Sequence, residues 1–139
     1  MSSFKALRVR DFMTANPVVF SRDTRLLDAV YTLVDKRISG APVVDDRGNL
    51  VGVLSERDFL KAVVVAGYHG ERSGSVGDYM SSKVEAVHAD DSLFDVASLF
   101  VKTKFRRFPV VEDNRVVGLL ARRDVLRALI RTFDPRRPL

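Results

Sequence analysis

The sequence contains no cysteine, so neither disulfide bonds nor thiolate-bound metal sites are available to it. It also lacks any apolar run approaching the roughly 18 residues that a membrane-spanning helix needs. Residues 1–6 include no apolar segment of the kind that signal peptides carry. These absences predict a soluble, unprocessed protein, with the cytoplasm as the default location.

The length and composition indicate how large a core the protein can form and which partners its charge suits. At 139 residues, of which 46% are hydrophobic, the chain can form about one ordinary domain's worth of buried core. The net charge is +5, and residues 101–139 contain eleven Lys and Arg against four Asp and Glu. Such a surplus suits a nucleotide phosphate, a nucleic acid or an acidic protein, and charge alone does not choose among them.

Two stretches of the chain are nearly the same. Gly52–Leu60 (GVLSERDFL) recurs as Gly118–Leu126 (GLLARRDVL), and both copies keep the glycine, the Arg-Asp pair and the apolar positions. The register slips by one residue in the turn around residues 47 and 48. This internal repeat indicates two copies of one structural unit. The flanking matches are Val9–Met13 with Val76–Met80, and Ala41–Asp45 with Phe108–Glu112.

The first copy is predicted to run strand, helix, strand, strand, helix. Asp23 or Thr24 is expected to cap the first helix, and Gly40 to end it in the left-handed conformation. A hairpin of two short strands follows, and Ser55 then opens the closing helix. The predicted ranges are 9–13 for a turn of helix, 17–20 for the first strand, 41–44 and 50–54 for the hairpin, and 55 to about 65 for the closing helix.

The second copy repeats this order, which gives an α/β (α+β) fold class of two βαββα repeats. Asp91 and Ser92 form the predicted cap of its first helix. A small three-stranded sheet with helices on one side cannot cover its own core, so the repeats are expected to pack as a pseudo-symmetric pair. The predicted ranges are 83–87 for the first strand, 108–111 and 116–120 for the hairpin, and 122–131 for the closing helix.

The domain boundaries follow from the repeat and from local composition. The two repeats are assigned to residues 9–66 and 76–131. Residues 67–75 form the predicted linker, because they include three glycines among polar neighbours. Residues 132–139 are basic and interrupted by proline, which predicts a frayed tail.

These segments resemble the cystathionine-β-synthase-type domain, known as the CBS domain, as a tandem pair or Bateman module. The resemblance spans Val9 to Ile130 and rests on two ordered sets of segments at constant spacing. It implies sensing rather than catalysis, because such modules bind AMP, ADP, ATP or S-adenosylmethionine in clefts between paired repeats and usually regulate an attached or partner protein. With no effector domain expected beside the two repeats, the resemblance implies a stand-alone module. The most telling segments are Asp11–Pro17, Ile38–Asp45, Gly52–Asp58 and Arg106–Val111.

Ser55 and Asp58 stand where the family keeps a hydroxyl residue and an aspartate that hold the ligand's ribose. A carboxylate can accept hydrogen bonds from both ribose hydroxyls, and a charged acceptor holds them better than a neutral one. The same Ser-x-x-Asp spacing before an apolar run is also a capping box, in which both side chains satisfy amides at the start of a helix. Both roles stay open, since one can hold in the apo state and the other in the bound state.

In the second copy Ala121 replaces the hydroxyl residue, while Asp124 remains. The second site therefore keeps its carboxylate but loses one polar contact, and the first site is expected to fill first. The alternative is that the second helix only has a weaker cap, at a cost of about 1 kcal/mol.

Arg106 and Arg107 precede the second hairpin, where some nucleotide-binding members of the family carry basic residues that meet phosphates. Guanidinium groups suit phosphate because they offer paired donors and stay protonated. The equivalent positions in the first copy are Ser39 and Gly40, and the alternative is a solvated basic loop. The other candidates near the phosphates, all at helix starts, are Arg57, Arg122 and Arg123.

Adenine would need an apolar slot with backbone edges. The resemblance to the family suggests residues that line such a slot, and the alternative is that these residues belong only to the core. His69 and His88 have no partner cluster, so no metal site is predicted, and no required cofactor is expected. The sequence carries no nucleophile triad, Walker loop or dinucleotide fingerprint. The adenine candidates are Pro17, Val18, Ile38 and Ala41 for the first slot, and Val84, Phe105 and Phe108 for the second.

The leading hypothesis is a non-enzymatic regulatory module that responds to AMP, ADP or ATP and acts through a partner protein. S-adenosylmethionine and NAD are further ligand candidates. The second hypothesis is a ligand-free interaction protein that uses the same fold as a dimerisation scaffold. Nucleic-acid binding is disfavoured, because stacking platforms and recognition-helix motifs are not evident.

The closing helices also predict a homodimer of two such pairs. They carry more apolar surface than one pair should leave exposed to water. The apolar residues concerned are Phe59, Leu60, Val63, Val64, Val125, Leu126, Leu129 and Ile130.

Overall fold

The structure is a computed structural model that describes residues 2–66 and 74–137. Short strands and helices alternate along these residues, and a single 3-10 turn at Val9–Asp11 precedes the first strand. The helices are α1 (Ser2–Ala6), α2 (Leu26–Asp35), α3 (Glu56–Ala66), α4 (Val76–Tyr79), α5 (Leu93–Lys102) and α6 (Arg122–Phe133). The strands are β1 (Thr14–Ala15), β2 (Phe20–Ser21), β3 (Gly40–Val44), β4 (Leu50–Ser55), β5 (Val87–His88), β6 (Arg107–Glu112) and β7 (Arg115–Ala121).

The described residues form two compact units whose limits differ from those of the sequence repeats. Unit I comprises Met1–Pro17, Glu85–Asp113 and Val117–Leu139, and unit II comprises Val18–Val84 and Asn114–Val116. Each unit thus takes its two longest helices and most of its hairpin from one repeat, and it takes the opening segment of the other repeat. This mixed architecture of small sheets and helices confirms the predicted fold class.

Unit II is built on a three-stranded sheet in the order β2-β3-β4. Strand β2 runs parallel to β3, and β3 pairs antiparallel with β4, as the hairpin prediction requires. Helix α2 covers the sheet because its buried residues recur at helical spacing. The core residues of this unit are Phe20, Leu26, Ala29, Leu33, Ala41, Val43, Leu54 and Val76.

Unit I contains a four-stranded sheet in the order β1-β7-β6-β5. Strand β5 is parallel to β6, while β1, from the other repeat, is antiparallel to β7. The rings of Phe100 on α5 and Phe108 on β6 pack with centroids 4.6 Å apart. The other core residues of this unit include Phe4, Val9, Val87, Leu93, Val96, Val110, Leu120, Val125 and Ala128.

Glycine in each hairpin allows the opening segment of the other repeat to approach closely. A Cβ on Gly52 would lie 2.7 Å from the Met80 sulfur and 2.8 Å from the Ser81 carbonyl oxygen. A Cβ on Gly118 would collide with Met13 and lie 3.0 Å from the Thr14 carbonyl oxygen. The glycine retained in both repeats is therefore a packing requirement of these contacts.

The two predicted first strands are longer than the observed ones. The sequence predicts strands at 17–20 and 83–87, whereas β2 covers Phe20–Ser21 and β5 covers Val87–His88. Only these residue pairs meet the hydrogen-bonding edge of β3 or β6. The prediction was wrong about length, because pairing with a distant strand fixes the length of such a short strand.

The predicted ends of α2 were also wrong. Its N-cap is Arg25, while the Thr24 hydroxyl accepts a hydrogen bond from the Ser21 amide at 3.1 Å and closes the preceding turn. The left-handed residue after the helix is Arg37, with φ 57°. Gly40 instead begins β3, where a Cβ would stand 3.0 Å from the Leu54 carbonyl oxygen. Gly40 therefore does not end α2, and its lack of a side chain instead allows β3 to pack closely against β4.

The remaining elements follow the prediction closely. Both hairpins form, α3 ends one residue beyond its predicted limit, and Ser92 caps α5 by accepting from the Phe94 amide at 3.2 Å. Helix α6 continues to Phe133, so the start of the predicted tail is helical. Residues 67–73 of the predicted linker, including His69, lie outside the described residues.

The register slip between the repeats is accommodated by a turn centred on Asp45. Its carboxylate accepts hydrogen bonds from the amides of Arg47 and Asn49, each at 2.9 Å, and from the Asn49 side chain at 3.2 Å. The Asn49 amide in particular lowers the pKa of Asp45 below its usual value. Gly48 takes the positive φ of 83° that the extra residue requires.

None of the helices in the described part of the chain is both long and apolar enough to cross a membrane.

We expect Gly118→Ala to lower the free energy of unfolding by about 1–3 kcal/mol, because the added methyl group has to displace Met13 and the Thr14 backbone. Urea denaturation monitored by circular dichroism measures this loss. Gly48→Asn is the matched control, since nothing lies within 4 Å of a Cβ there and asparagine tolerates a positive φ. Equal stability of Gly118→Ala and the parent protein would contradict the packing role.

Candidate functional site

The end of β4 and the start of β3 meet in unit II, at a place we call the first junction (residues 38–41 and 55–58). Gly40 lies opposite Ser55 in the antiparallel register. The Glu56 amide donates to the Ser39 carbonyl oxygen at 2.9 Å, which ties the loop before β3 to the start of α3. The structure thereby brings together five of the predicted ligand residues, namely Ile38, Ala41, Ser55, Arg57 and Asp58.

Ser55 and Asp58 form a capping box at the start of α3. The Asp58 Oδ2 atom accepts from the Ser55 amide at 2.9 Å and from the Ser55 hydroxyl at 3.0 Å. The Asp58 amide in turn donates to the Ser55 hydroxyl oxygen at 3.2 Å. The capping interpretation is therefore confirmed, while the ribose role stays a prediction. Within the described part of the chain, Asp58 Oδ1 has no hydrogen-bond partner and is open to a ligand.

The apolar candidates of the first slot differ in exposure. Val18 and Ile38 are half-buried and pack against the core of unit II. Ala41 is 2% exposed and belongs to that core. Pro17 is half-buried and belongs to unit I.

Unit I has an equivalent second junction (residues 105–108 and 121–124). The Arg122 amide donates to the Arg106 carbonyl oxygen at 3.1 Å, as the Glu56 amide does to Ser39 in unit II. This hydrogen bond places Arg106 beside the start of α6. Helix α6 begins directly after β7, so Ala121 and Asp124 take the positions that Ser55 and Asp58 hold in unit II.

Asp124 is 5% exposed, and both of its carboxylate oxygens are engaged. Oδ2 accepts from the Ala121 amide at 2.7 Å, and Oδ1 accepts from the guanidinium of Arg127. Arg127 was not among the residues predicted from the sequence. The signal was its spacing of three residues from Asp124, which puts both side chains on one helix face.

The aromatic candidates of the second slot divide between core and surface. Phe108 is fully buried, and its ring is held by Phe100 and by Phe105, the latter with centroids 5.7 Å apart. Phe105 is 47% exposed, so it is the ring that can stack on a base. Val84, which the sequence assigned to the same slot, is half-buried and belongs to unit II.

Basic side chains gather at the second junction. Arg106, Arg122 and Arg123 are exposed, and within residues 2–66 and 74–137 none of them forms an ion pair with an acid. Arg107 begins β6, is partly buried and has contacts of its own. At the first junction the exposed Arg57 lies between Glu56 and Asp58 in sequence. The positive potential of the junctions is therefore concentrated in unit I, where an anion would be favoured.

Two other features of the described residues bear on ligands. They include no group of three or more His, Cys, Asp or Glu side chains arranged to hold a metal ion. A surface hollow of about 300 Å³ lies in unit II, but none of the predicted site residues lines it. Its lining residues are Ser21, Arg22, Asp23, Val44, Asp45, Asp46 and Arg47.

Comparison with known proteins identifies the repeat. A family model for the CBS domain matches the chain twice, at residues 9–65 and 76–131. Among curated proteins, the chain is 31% identical over 121 residues to protein MJ1225 of Methanocaldococcus jannaschii. It is 33% identical over 150 residues to the chloroplastic CBS domain-containing protein CBSX2 of Arabidopsis thaliana. These matches cover 87% and 88% of this chain, which spans 42% and 63% of the two relatives.

Solved structures show the same fold. A crystal structure of CBSX2 in complex with AMP has a TM-score of 0.78 at 37% identity, covering 90% of this chain and 97% of that one. The CBS domain pair of protein MJ0100 in complex with 5′-methylthioadenosine and S-adenosyl-L-methionine has a TM-score of 0.75 at 26% identity, covering 89% and 96% of the two chains. Adenosine-containing ligands thus occur in two structures to which this chain is similar.

Proposed function

Because the chain belongs to the CBS domain family and carries the domain twice, we propose that it is a regulatory module that binds an adenine nucleotide and acts through a partner protein. The observation that carries the proposal is the aspartate at the start of each closing helix, held by a strand-end amide at 2.9 Å in one junction and 2.7 Å in the other. The AMP complex of CBSX2 and the S-adenosyl-L-methionine complex of MJ0100 support the ligand class.

In the proposed complex Asp58 anchors the ribose. Its Oδ2 atom is committed to the helix cap, and its Oδ1 atom can accept from a ribose hydroxyl. Val18 and Ile38 supply an apolar surface for adenine, and the buried Ala41 is part of the core that they pack against. The nucleotide candidates are AMP, ADP and ATP, with S-adenosylmethionine and NAD as further adenosine-containing ligands. Binding, rather than a chemical step, is the proposed activity.

Asp58→Ala should weaken AMP binding about 30- to 150-fold, because it leaves ribose hydroxyls without their charged acceptor, at about 2–3 kcal/mol. Isothermal titration calorimetry measures this change. The substitution also removes a helix cap, so Asp78→Ala is the matched control. Asp78 caps α4 in the same way, accepting from the Ser75 amide at 3.1 Å, and lies outside the junction. If Asp58→Ala binds AMP as tightly as Asp78→Ala does, the ribose role is wrong.

We further propose that the arginines of the second junction contact the nucleotide phosphates. Arg106 is exposed beside the start of α6, and Arg107 begins strand β6 directly after it. Phosphate contacts at such an exposed place are screened by salt, so affinity for AMP should fall as ionic strength rises. Affinity for adenosine, which has no phosphate, should depend less on salt.

A double variant, Arg106→Gln with Arg107→Gln, should lose about tenfold in affinity for AMP at the second site and little for adenosine, since charge-assisted bonds to phosphate are lost. Calorimetry with both ligands at two salt concentrations checks this. Arg115→Gln is the control, because it removes one positive charge from the opposite end of the β6–β7 hairpin. Equal affinity of the parent protein for adenosine and AMP would contradict the phosphate contacts.

The proposed module is a homodimer that buries the exposed faces of α3 and α6. On α3, Leu60 is 61% and Val64 81% exposed, and on α6 Leu126 is 56% exposed. Val125 does not belong to this surface, because it is 5% exposed and packs in the core of unit I. Apolar side chains exposed to this extent on two helices favour association with a second copy.

Val64→Glu should convert the dimer into monomers, because a carboxylate in an apolar interface loses its hydration without gaining a partner. Light scattering at micromolar protein concentration measures the mass. Arg47→Glu introduces the same charge on the exposed turn between β3 and β4 and should leave the mass unchanged. A monomeric parent protein would refute the dimer.

The exposed helices also support the second candidate function, a ligand-free dimerisation scaffold. Such a scaffold would keep its dimeric mass but show no heat of binding with any adenosine-containing ligand. A third outcome, a thermal shift with short RNA that disappears at high salt, would favour nucleic-acid binding instead. The proposed location remains the cytoplasm, although the relative CBSX2 is chloroplastic.

A further inference from the structure

The two junctions differ at the position three residues after the capping aspartate. In unit II this position is Lys61, after Asp58, and in unit I it is Arg127, after Asp124. Lys61 is exposed, and no acid in the described residues lies within ion-pair distance of it. Arg127 is paired with Asp124, although its own side chain is 52% exposed. The same backbone geometry thus carries a carboxylate without an ion pair in unit II, Asp58, and a carboxylate paired with an arginine in unit I, Asp124.

We propose that Arg127 is a specificity-determining residue that occupies the ribose-binding carboxylate of the second junction, so that the nucleotide fills the first junction first. The inference rests on the proposed function and assigns a cause to the order of filling. The relevant atom is Oδ1, which is open to a ligand in Asp58 and holds the Arg127 guanidinium in Asp124.

A nucleotide entering the second junction has to exchange one charge-assisted hydrogen bond for another. The ribose hydroxyl is a neutral donor, and it competes with a guanidinium that already neutralises the carboxylate. Because Arg127 is half exposed, water screens its ion pair, so the competition is modest. A ligand at sufficient concentration displaces Arg127, whereas the first junction has no such competitor.

The difference between lysine and arginine matters here. The planar guanidinium of Arg127 presents several donors, and one of them reaches Asp124 across a single helical turn. The ammonium of Lys61 is a compact, strongly hydrated charge, and it is not held against Asp58. This difference is separate from the missing hydroxyl at Ala121. In the first junction, that hydroxyl already donates to Asp58 Oδ2.

Reciprocal substitutions test the inference. Calorimetric titration with AMP compares the parent protein with Arg127→Gln and with Lys61→Arg, and an Asp58→Ala background isolates the second junction. We expect Arg127→Gln to strengthen the second site about fivefold and to leave the first unchanged. We expect Lys61→Arg to weaken the first site by a similar factor. Ala121→Ser is the control, since it restores the hydroxyl while keeping the Arg127 ion pair.

Removing the cation beside a buried carboxylate also destabilises unit I. Thermal unfolding of each apo variant therefore accompanies the titrations. Lys61→Arg tests the inference independently of this loss of stability, because it places a guanidinium at an exposed position of unit II. A stable Lys61→Arg variant whose first site keeps the parent affinity would overturn the inference.

Adenosine distinguishes competition from direct contact. Because adenosine has no phosphate, added salt acts mainly on the Arg127–Asp124 pair. The second site of the parent protein should bind adenosine more tightly at high salt, and Arg127→Gln should abolish this dependence. Weaker binding of AMP by Arg127→Gln would mean that Arg127 contacts the ligand, which also overturns the inference. A parent protein that binds no adenosine-containing ligand would refute the proposed function itself, whereas binding at two equal sites would refute only the order of filling.

Discussion

The hydrogen bond from the last amide of a hairpin to the carboxylate three residues later governs both halves of this molecule. It joins Ser55 to Asp58 and Ala121 to Asp124, at 2.9 and 2.7 Å. Each hydrogen bond caps a closing helix that begins directly after a strand. It also fixes the carboxylate at the junction, where the two ends of the hairpin meet. The same side chain therefore serves helix stability and the proposed ligand site. A substitution that tests the ligand role also removes a helix cap, so the effect of losing a cap has to be measured separately on a second capping aspartate.

Much of the fold could be predicted because its signals are local. The hairpins follow from pairs of short apolar runs on either side of a polar turn, α3 follows from the Ser-x-x-Asp spacing, and α6 follows from the matching segment of the repeat. The exchange of opening segments between repeats could not be predicted in this way, since Thr14 pairs with Leu119, which lies 105 positions later in the sequence. The role of Gly40 was missed for the same reason. Its neighbour is the Leu54 carbonyl oxygen, which local sequence does not place there.

The candidate site was predicted in its polar part and less well in its apolar part. Asp58 and Asp124 occupy equivalent, well-defined positions because helix capping restricts their geometry. Apolar residues carry no such signature, so Phe105 and Phe108 could not be divided into a surface ring and a core ring without the packing of Phe100. Arg127 was missed because its partner is defined by burial, and the sequence shows spacing but not burial.

The two repeats keep one backbone but satisfy their carboxylates differently. In unit I, Arg10 bonds Asp90 at 2.7 Å and Glu112 at 3.1 Å, which raises the pKa of Arg10, and Arg127 bonds Asp124. In the alignment of the two repeats, Arg10 is equivalent to Gly77, and Glu112 is equivalent to Asp45. The carboxylate of Asp45 accepts hydrogen bonds from backbone amides of its own turn. In unit I, arginines thus add ion pairs to the backbone amides that hold carboxylates, whereas Asp45 and Asp58 of unit II are held by amides and a hydroxyl. Since ion pairs are screened by salt and amide hydrogen bonds much less so, ionic strength acts chiefly on unit I. The proposed order of filling then depends on one arginine, Arg127, which competes for Asp124, while the exposed arginines of the second junction favour the phosphates there.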